Sequence, residues 1–369
     1  MAAEVGGRAG KAGESGESDQ ARAPAEAPQP ASNMRTEAAE APAAVARLLA
    51  AEAGTFAALG AGLRRNPPAA VLTVARGSSD HAAHYMAYLV MARLGRLVTS
   101  LPMSLVTLYH AQLQCQGLMA VAFSQSGQSP DLVGPLQWMG DQGARTLAFV
   151  NHATSPLARA AQQAVALHAG PELSVAATKS FICQMAAGAS LVAAWQPDAG
   201  FSRALAALPA DLQAAWTQDW SQGVEALRDA ERLYVIGRGT GLAVAMEAAL
   251  KFKEVCGLHA EAYSGAEVQH GPMALVRPGF SMLVLAPRGP AQAGLLALAM
   301  QMRERGARVL LAAPPGTPGA ELSLMPTGHA ELDPLSAVQS FYSLAEALAR
   351  ARGLDPDRPR HLNKVTRTE

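Results

Sequence analysis

Net charge is missing from this chain: Lys plus Arg and Asp plus Glu are both 30 in 369 residues. No overall field therefore draws it to nucleic acid or to an anionic membrane, and any charged partner has to be met by a local site. Cysteine is scarce as well. Cys115, Cys183 and Cys256 lie far apart and in no metal-ligand spacing, which excludes a disulfide framework and a zinc site and reads as buried thiols. No apolar run approaches the roughly 20 residues a membrane helix requires, and the first thirty residues carry charges throughout in place of a signal-peptide core. These absences predict a soluble, cytoplasmic protein. Large apolar side chains are also nearly missing up to about residue 33, where Ala, Gly, Pro, Glu and Ser dominate. Such a composition does not offset the entropy of ordering, so residues 1–35 are expected to form a disordered tail. Val45, Leu48 and Leu49 then fall at helical spacing and mark folded structure from about residue 36, with Met34 a candidate natural start.

What is present is a repeat. Ala75-Arg76-Gly77-Ser78-Ser79 returns as Gly237-Arg238-Gly239-Thr240-Gly241, Phe123-Ser124-Gln125-Ser126-Gly127 aligns with Leu285-Ala286-Pro287-Arg288-Gly289, and Gly143-Ala144-Arg145 returns as Gly306-Ala307-Arg308. The offsets are 162, 162 and 163 residues. So small a drift over three anchors points to duplication of a whole domain, since solenoid repeats have far shorter periods. Each copy reads as strand, glycine turn and helix, repeated. Residues 70–75, 118–123 and 146–150 are apolar strands in copy one, with a helix over 130–142; residues 233–236, 281–285 and 309–312 repeat the strands in copy two. Fully apolar strands between helices predict parallel sheets covered on both faces. The expected fold is α/β: two tandem doubly wound, flavodoxin-like domains of three αβα layers. They are placed at 36–205 and 206–350, with a Pro- and Gly-containing linker over 196–222 and a C-terminal tail over 351–369.

The copies differ in chemistry. Ser124-Gln125-Ser126-Gly127-Gln128-Ser129 follows a strand and opens a helix, the place where open α/β sheets bind ligands and where hydroxyls, free N–H groups and the helix dipole favour a phosphate. Ser78 and Ser79, read as helix N-caps, complete the shell from the equivalent first loop, and Thr178 is a further candidate. A Ser/Gly loop also serves as a plain cap; its replacement by Ala286, Arg288 and Ala291 in copy two argues for function. Lys251, Glu254, His259, Glu261, Glu267 and His270 occur only in copy two. A helix over 246–257 puts Glu247, Lys251 and Glu254 along one face. That face reads either as a solvated stripe or, among Ala249, Leu250, Phe252 and Val255, as a half-buried one that raises a carboxylate's pKa toward a general base. Gly271-Pro272 after His270 forces a loop that presents the imidazole, although histidines are as readily structural. Two histidines eleven residues apart with no matched third ligand leave no metal site.

Ser124-Gln125-Ser126-Gly127, Val175-Ala176-Ala177-Thr178-Lys179, Leu250-Lys251-Phe252-Lys253-Glu254, His259-Ala260-Glu261-Ala262-Tyr263, His270-Gly271-Pro272 and Asp357-Arg358-Pro359-Arg360-His361-Leu362-Asn363-Lys364 together resemble tandem sugar isomerase (SIS) domains. The resemblance is to the isomerase half of glucosamine-6-phosphate synthase and to stand-alone SIS-type sugar-phosphate deaminases. It implies that Ser78, Ser79, Ser124, Gln125, Ser126 and Ser129 hold a sugar phosphate, with Val175 and Thr178 near the sugar. It implies that Glu254 moves a proton between C1 and C2, that His270 assists ring opening, and that Lys251 and Lys364 contact the open-chain sugar. No cofactor is implied, and a homodimer sharing the site is, with the histidine coming from the second subunit. Two departures stand out. Ala2 follows Met1 and no cysteine precedes Cys115, so glutamine is not expected to supply nitrogen; Ala177 stands where the family commonly has serine. The resulting expectation is conversion of glucosamine 6-phosphate into fructose 6-phosphate and ammonia. An aldose–ketose isomerase, a galactosamine-6-phosphate deaminase, a phospho-fructosamine deglycase and a non-catalytic sugar-phosphate sensor are the alternatives.

Overall fold

In a computed structural model, which describes residues 31–364, two five-stranded sheets carry all ten strands. The first holds β1 (Val71–Val74), β2 (Val98–Ser100), β3 (Met119–Ser124), β4 (Arg145–Val150) and β5 (Gln163–Ala166) in the order β2-β1-β3-β4-β5. The second holds β6 (Arg232–Gly237), β7 (His259–Ser264), β8 (Ser281–Leu285), β9 (Arg308–Ala313) and β10 (Leu322–Ser323) in the order β10-β9-β8-β6-β7. Every neighbouring pair is parallel. Numbered within each copy, both orders are 2-1-3-4-5, the flavodoxin-like order, as expected. The repeat carries through to the strands: β3 and β8 begin 281 − 119 = 162 residues apart, β4 and β9 308 − 145 = 163.

Thirteen α-helices cover the sheets among the described residues. In the first half they are α1 (Asn33–Ala39), α2 (Ala41–Ala51), α3 (Ala53–Arg65), α4 (Gly77–Leu94), α5 (Ser104–Thr107), α6 (Pro130–Asp141), α7 (Pro156–Ala160) and α8 (Lys179–Trp195). In the second they are α9 (Ala199–Trp216), α10 (Ser221–Leu227), α11 (Gly241–Glu254), α12 (Gln292–Glu304) and α13 (Asp333–Ala351). Alternation along the strands sorts the core. Val71, Val121, Phe123, Leu233, Val235 and Leu283 face a shared interior with α4, α8, α11 and α13, whereas Ala120, Ala122, Ile236 and Val284 face separate outer clusters. The two copies therefore share one apolar centre, and α4 of copy one packs directly on α11 of copy two.

Two sequence expectations are corrected. Residues 196–222 are not an open linker: α9 runs through Pro209 and buries Phe201, Leu205, Leu208 and Leu212, an apolar stripe at helical spacing that outweighs the Pro and Gly signals. Asp198 caps that helix by accepting the Phe201 N–H at 3.0 Å. The tail expected through residue 35 is helical from Asn33, because Ser32 accepts the Arg35 N–H and Asp357 accepts those of Asn33 and Met34 at 2.8 and 2.7 Å. Its earlier residues, 1–30, lie outside those described, as do residues 365–369 of the C-terminal tail.

Candidate active site

The strand order of the first sheet reverses between β1 and β3, and the loops beyond those two strands open a crevice. A cavity of about 380 Å³ lies there. Of the twelve residues singled out from the sequence, ten line it: Ser78, Ser79, Ser124, Gln125, Ser126, Ser129, Val175, Lys251, Glu254 and Lys364. Thr178 and His270 do not. Thr178 stands fully buried at the start of α8, where its N–H donates to Glu172 at 3.0 Å while its hydroxyl has no protein partner among the described residues. His270 is exposed at the end of the short 3-10 turn Glu267–His270.

The serines are arranged as donors. Contrary to the capping read from the sequence, α4 starts at Gly77 with Arg76 as N-cap and no side-chain cap, so Ser78 and Ser79 sit in its first turn with their hydroxyls not used for capping. Ser78 Oγ accepts from Lys251 Nζ at 3.1 Å, and Ser79 Oγ accepts from Gln184 Nε2 at 2.9 Å. In the second loop Ser124 Oγ accepts from the Gly127 N–H at 2.9 Å and Ser126 Oγ from the Gln128 N–H at 3.3 Å. A hydroxyl has one proton: Ser78 gives its own to the Glu247 carboxylate, whereas Ser79, Ser124 and Ser126, each accepting from the protein, have theirs to give to a ligand. Gly127, at φ +62°, makes the tight turn that aims the second loop.

Opposite the serines lies a buried ion cluster on α11. Lys251, 1% exposed, is 2.5 Å from Glu254 Oε2 and 3.3 Å from Glu247 Oε1. Glu247 is fully buried and also meets His81 Nδ1 at 3.1 Å and the Tyr342 hydroxyl at 3.2 Å. Burial opposes its charge, yet Lys251 and His81 outweigh burial and hold the Glu247 carboxyl below the ordinary range. The expectation that burial raises a carboxylate on this face is reversed at Glu247 by those partners. Burial likewise works against the Lys251 ammonium, and Glu247 and Glu254 overcome it and raise its pKa. Glu254 is the carboxyl group of the cluster that reaches the cavity, its side chain 21% exposed.

The C-terminal segment closes one side. Lys364 Nζ donates to Glu172 Oε2 at 3.1 Å and to the Ser174 carbonyl at 2.7 Å. Glu172 also accepts the N–H groups of Thr178 and Ser180 and the Ser180 hydroxyl, so it organises the loop that carries Val175. Burial pushes the Glu172 carboxyl up, and Lys364 with these hydrogen bonds brings it below its ordinary value. Glu37 of α1 supports the same loop by accepting the N–H groups of Leu173 and Ser174.

Sequence reasoning missed the supporting layer of Gln184, Glu172, His81 and Tyr342. The only signal for it was a polar residue inside an apolar helix, as with Gln184, which lies 1% exposed in α8. The dense polar run of copy two is also divided in space. Lys251 and Glu254 reach the cavity, whereas His259 and Glu261 lie on the edge strand β7, where Glu261 accepts from the Tyr263 hydroxyl. Among the described residues no cluster of His, Cys, Asp and Glu is arranged to hold a metal.

The SIS domain model matches residues 68–194 and 226–350. Glutamine–fructose-6-phosphate aminotransferase (isomerizing) of Aeropyrum pernix is 38% identical over 326 residues, which are 81% of this chain and 51% of that protein. The chain thus spans about half the length of the curated relatives it matches. A crystal structure from Silicibacter pomeroyi DSS-3, provisionally described as a phosphosugar isomerase, is 46% identical with a TM-score of 0.84, covering 89% of this chain and all (100%) of that one. Glucosamine-6-phosphate deaminase of Thermotoga maritima shares the fold at 22% identity, with a TM-score of 0.73 over 91% of this chain and 100% of its own. With both matched segments carrying the same strand order, the chain belongs to the SIS domain family as a tandem pair.

Proposed function

We propose that this protein is a sugar-phosphate isomerase of the deaminating kind, acting on glucosamine 6-phosphate to give fructose 6-phosphate and ammonia. The observation that carries the reading is a single cavity lined both by five serines, Ser78, Ser79, Ser124, Ser126 and Ser129, and by the Lys251–Glu254 pair. A phosphate dianion is acceptor-only, which suits a wall where the Ser79, Ser124 and Ser126 hydroxyls accept from the protein and have protons to give. Open-chain glucosamine 6-phosphate has a C1 aldehyde and a C2 amine. Glu254 takes the C2 proton while O1 gains one from Lys251, and the resulting C1–C2 enaminol receives the carried proton at C1 as the nitrogen-bound proton passes to Lys251, restoring its ammonium. That gives a C1 alcohol and a C2 imine, which water cleaves to the C2 ketone and ammonia. His270, exposed on its 3-10 turn, assists ring opening from the second subunit of a homodimer.

The three cysteines supply no nucleophile to this site. All are buried, and burial pushes each thiol up, Cys256 to about 12, so none is a poised nucleophile. A second reading is aldose–ketose isomerisation without loss of nitrogen, and the description of the 46%-identical structure as a phosphosugar isomerase is compatible with it. A panel of glucosamine 6-phosphate, galactosamine 6-phosphate, a phospho-fructosamine and hexose 6-phosphates separates them. Ammonia with fructose 6-phosphate from the first substrate supports deamination. Interconversion of hexose phosphates alone supports the second reading, and tight binding without turnover of any substrate rejects both.

A further inference from the structure

Duplication leaves a second cavity. The strand order of the second sheet reverses between β6 and β8, and a cavity of about 400 Å³ sits beyond those strands. Its wall is the positional equivalent of the first: Arg238, Gly239 and Thr240 for Arg76, Gly77 and Ser78, and Pro287 to Ala291 for Gln125 to Ser129. Even the neighbouring helix corresponds. Tyr88 and Ala92 of α4 line the second cavity, and adding 162 to their numbers gives Leu250 and Glu254 of α11. Ala92 therefore stands where the first cavity has its proton-transfer carboxylate, so the second cavity has the place of a ligand site without the means to react.

We propose that this second switch-point cavity binds a small anion bearing a flat apolar body, such as an aryl phosphate. Charge points to the anion. Of the three charged side chains on the wall, Arg288 is held by Asp333 at 2.8 Å and Glu331 by Arg93 at 2.5 Å. Arg238 is exposed and has no ion-pair partner among the described residues, and it lies at the N-terminus of the 14-residue α11, where the helix dipole adds to its field. Gly239, at φ +64°, makes the turn that brings the Arg238-Thr240 segment to the cavity. The rest of the wall sets the body of the ligand. Tyr88, 40% exposed, stands with Pro287, Pro290 and Leu295, and the two prolines replace Gln125 and Gln128 of copy one.

The test is equilibrium dialysis of phenyl phosphate and inorganic phosphate against the full chain, Arg238→Gln and Ser124→Ala/Ser126→Ala. Two phenyl phosphate sites per chain are expected. One of them should survive the serine substitutions, weaken at least tenfold in Arg238→Gln, and take phenyl phosphate at least tenfold more tightly than inorganic phosphate. Circular dichroism of each variant establishes that it is folded, and Tyr88→Ala, with the charge intact, should erase the preference for the aryl ester. A single site per chain that the serine substitutions abolish would overturn the proposal, as would two sites unaffected by Arg238→Gln. Loss of the serine-dependent site alone would bear on the function proposed above and not on this inference.

Discussion

The two switch-point loops, Ser124–Ser129 and Ala286–Ala291, begin from the same backbone plan and end with opposite polarity. In the first, the Ser124 and Ser126 hydroxyls accept from the protein and line a 380 Å³ cavity; in the second, Arg288 occupies the corresponding place and is locked to Asp333 through two 2.8 Å contacts. The difference teaches that strand order places a cavity, while a few side chains decide what it does. The helices cross over in the same way. α4 gives Ser78 and Ser79 to the first cavity and Tyr88 to the second, and α11 gives Lys251 and Glu254 to the first and its N-terminus to the second.

Making the first loop like the second is the strongest way to break this contrast. Ser124→Ala/Ser126→Ala removes two hydrogen bonds to a charged ligand, each worth about 1.5–3 kcal/mol, and should raise KM for glucosamine 6-phosphate about a hundredfold or more. Steady-state kinetics check it, with an unchanged KM speaking against a phosphate at these serines. Next in size is the ion cluster that only α11 carries. Glu247→Gln leaves Lys251 buried with Glu254 alone and should cost about 3 kcal/mol in denaturant unfolding at neutral pH.

The same pair sets a pH window. Because the Glu247 carboxyl is held below its ordinary 4.5, its contribution is present above that value and is lost as pH falls through the lower folded value. Because the Lys251 ammonium is raised above 10.5, its contribution is present below that value and is lost as pH rises through the higher one. Unfolding measured against pH should therefore lose its Glu247-dependent acid limb in Glu247→Gln. The smallest effect belongs to the supporting layer: Gln184→Leu takes the donor from Ser79 and should raise KM about fivefold, near 1 kcal/mol, with kcat little changed.

Much of this contrast was legible in the residues, and the part that was not has physical causes. Six strands with apolar, β-branched runs were placed within about two residues, since each is buried on both faces and has a strong local signature. The edge strands β2, β5, β7 and β10 were not. Val98–Ser100 and Leu322–Ser323 are too short to show a period, and His259–Ser264 alternates polar side chains that read as chemistry. Helix α9 was hidden by Pro209, which the fold tolerates within an apolar stripe. The serine loop showed itself because duplication supplied an internal control. Glu172, His81 and Gln184 had no such control, because their meaning lies in contacts spanning 192, 166 and 105 residues of sequence.

The central claim is that the Lys251–Glu254 pair converts a phosphate-binding crevice into a site of C1–C2 proton transfer. Its most direct test is Glu254→Gln, a change of one oxygen for one NH₂, assayed for ammonia and fructose 6-phosphate release from glucosamine 6-phosphate. General acid–base catalysis of this kind contributes roughly 10²–10⁴-fold, so turnover should fall by at least about a hundredfold while substrate still binds at the serines. Undiminished release by the Gln variant would contradict the account.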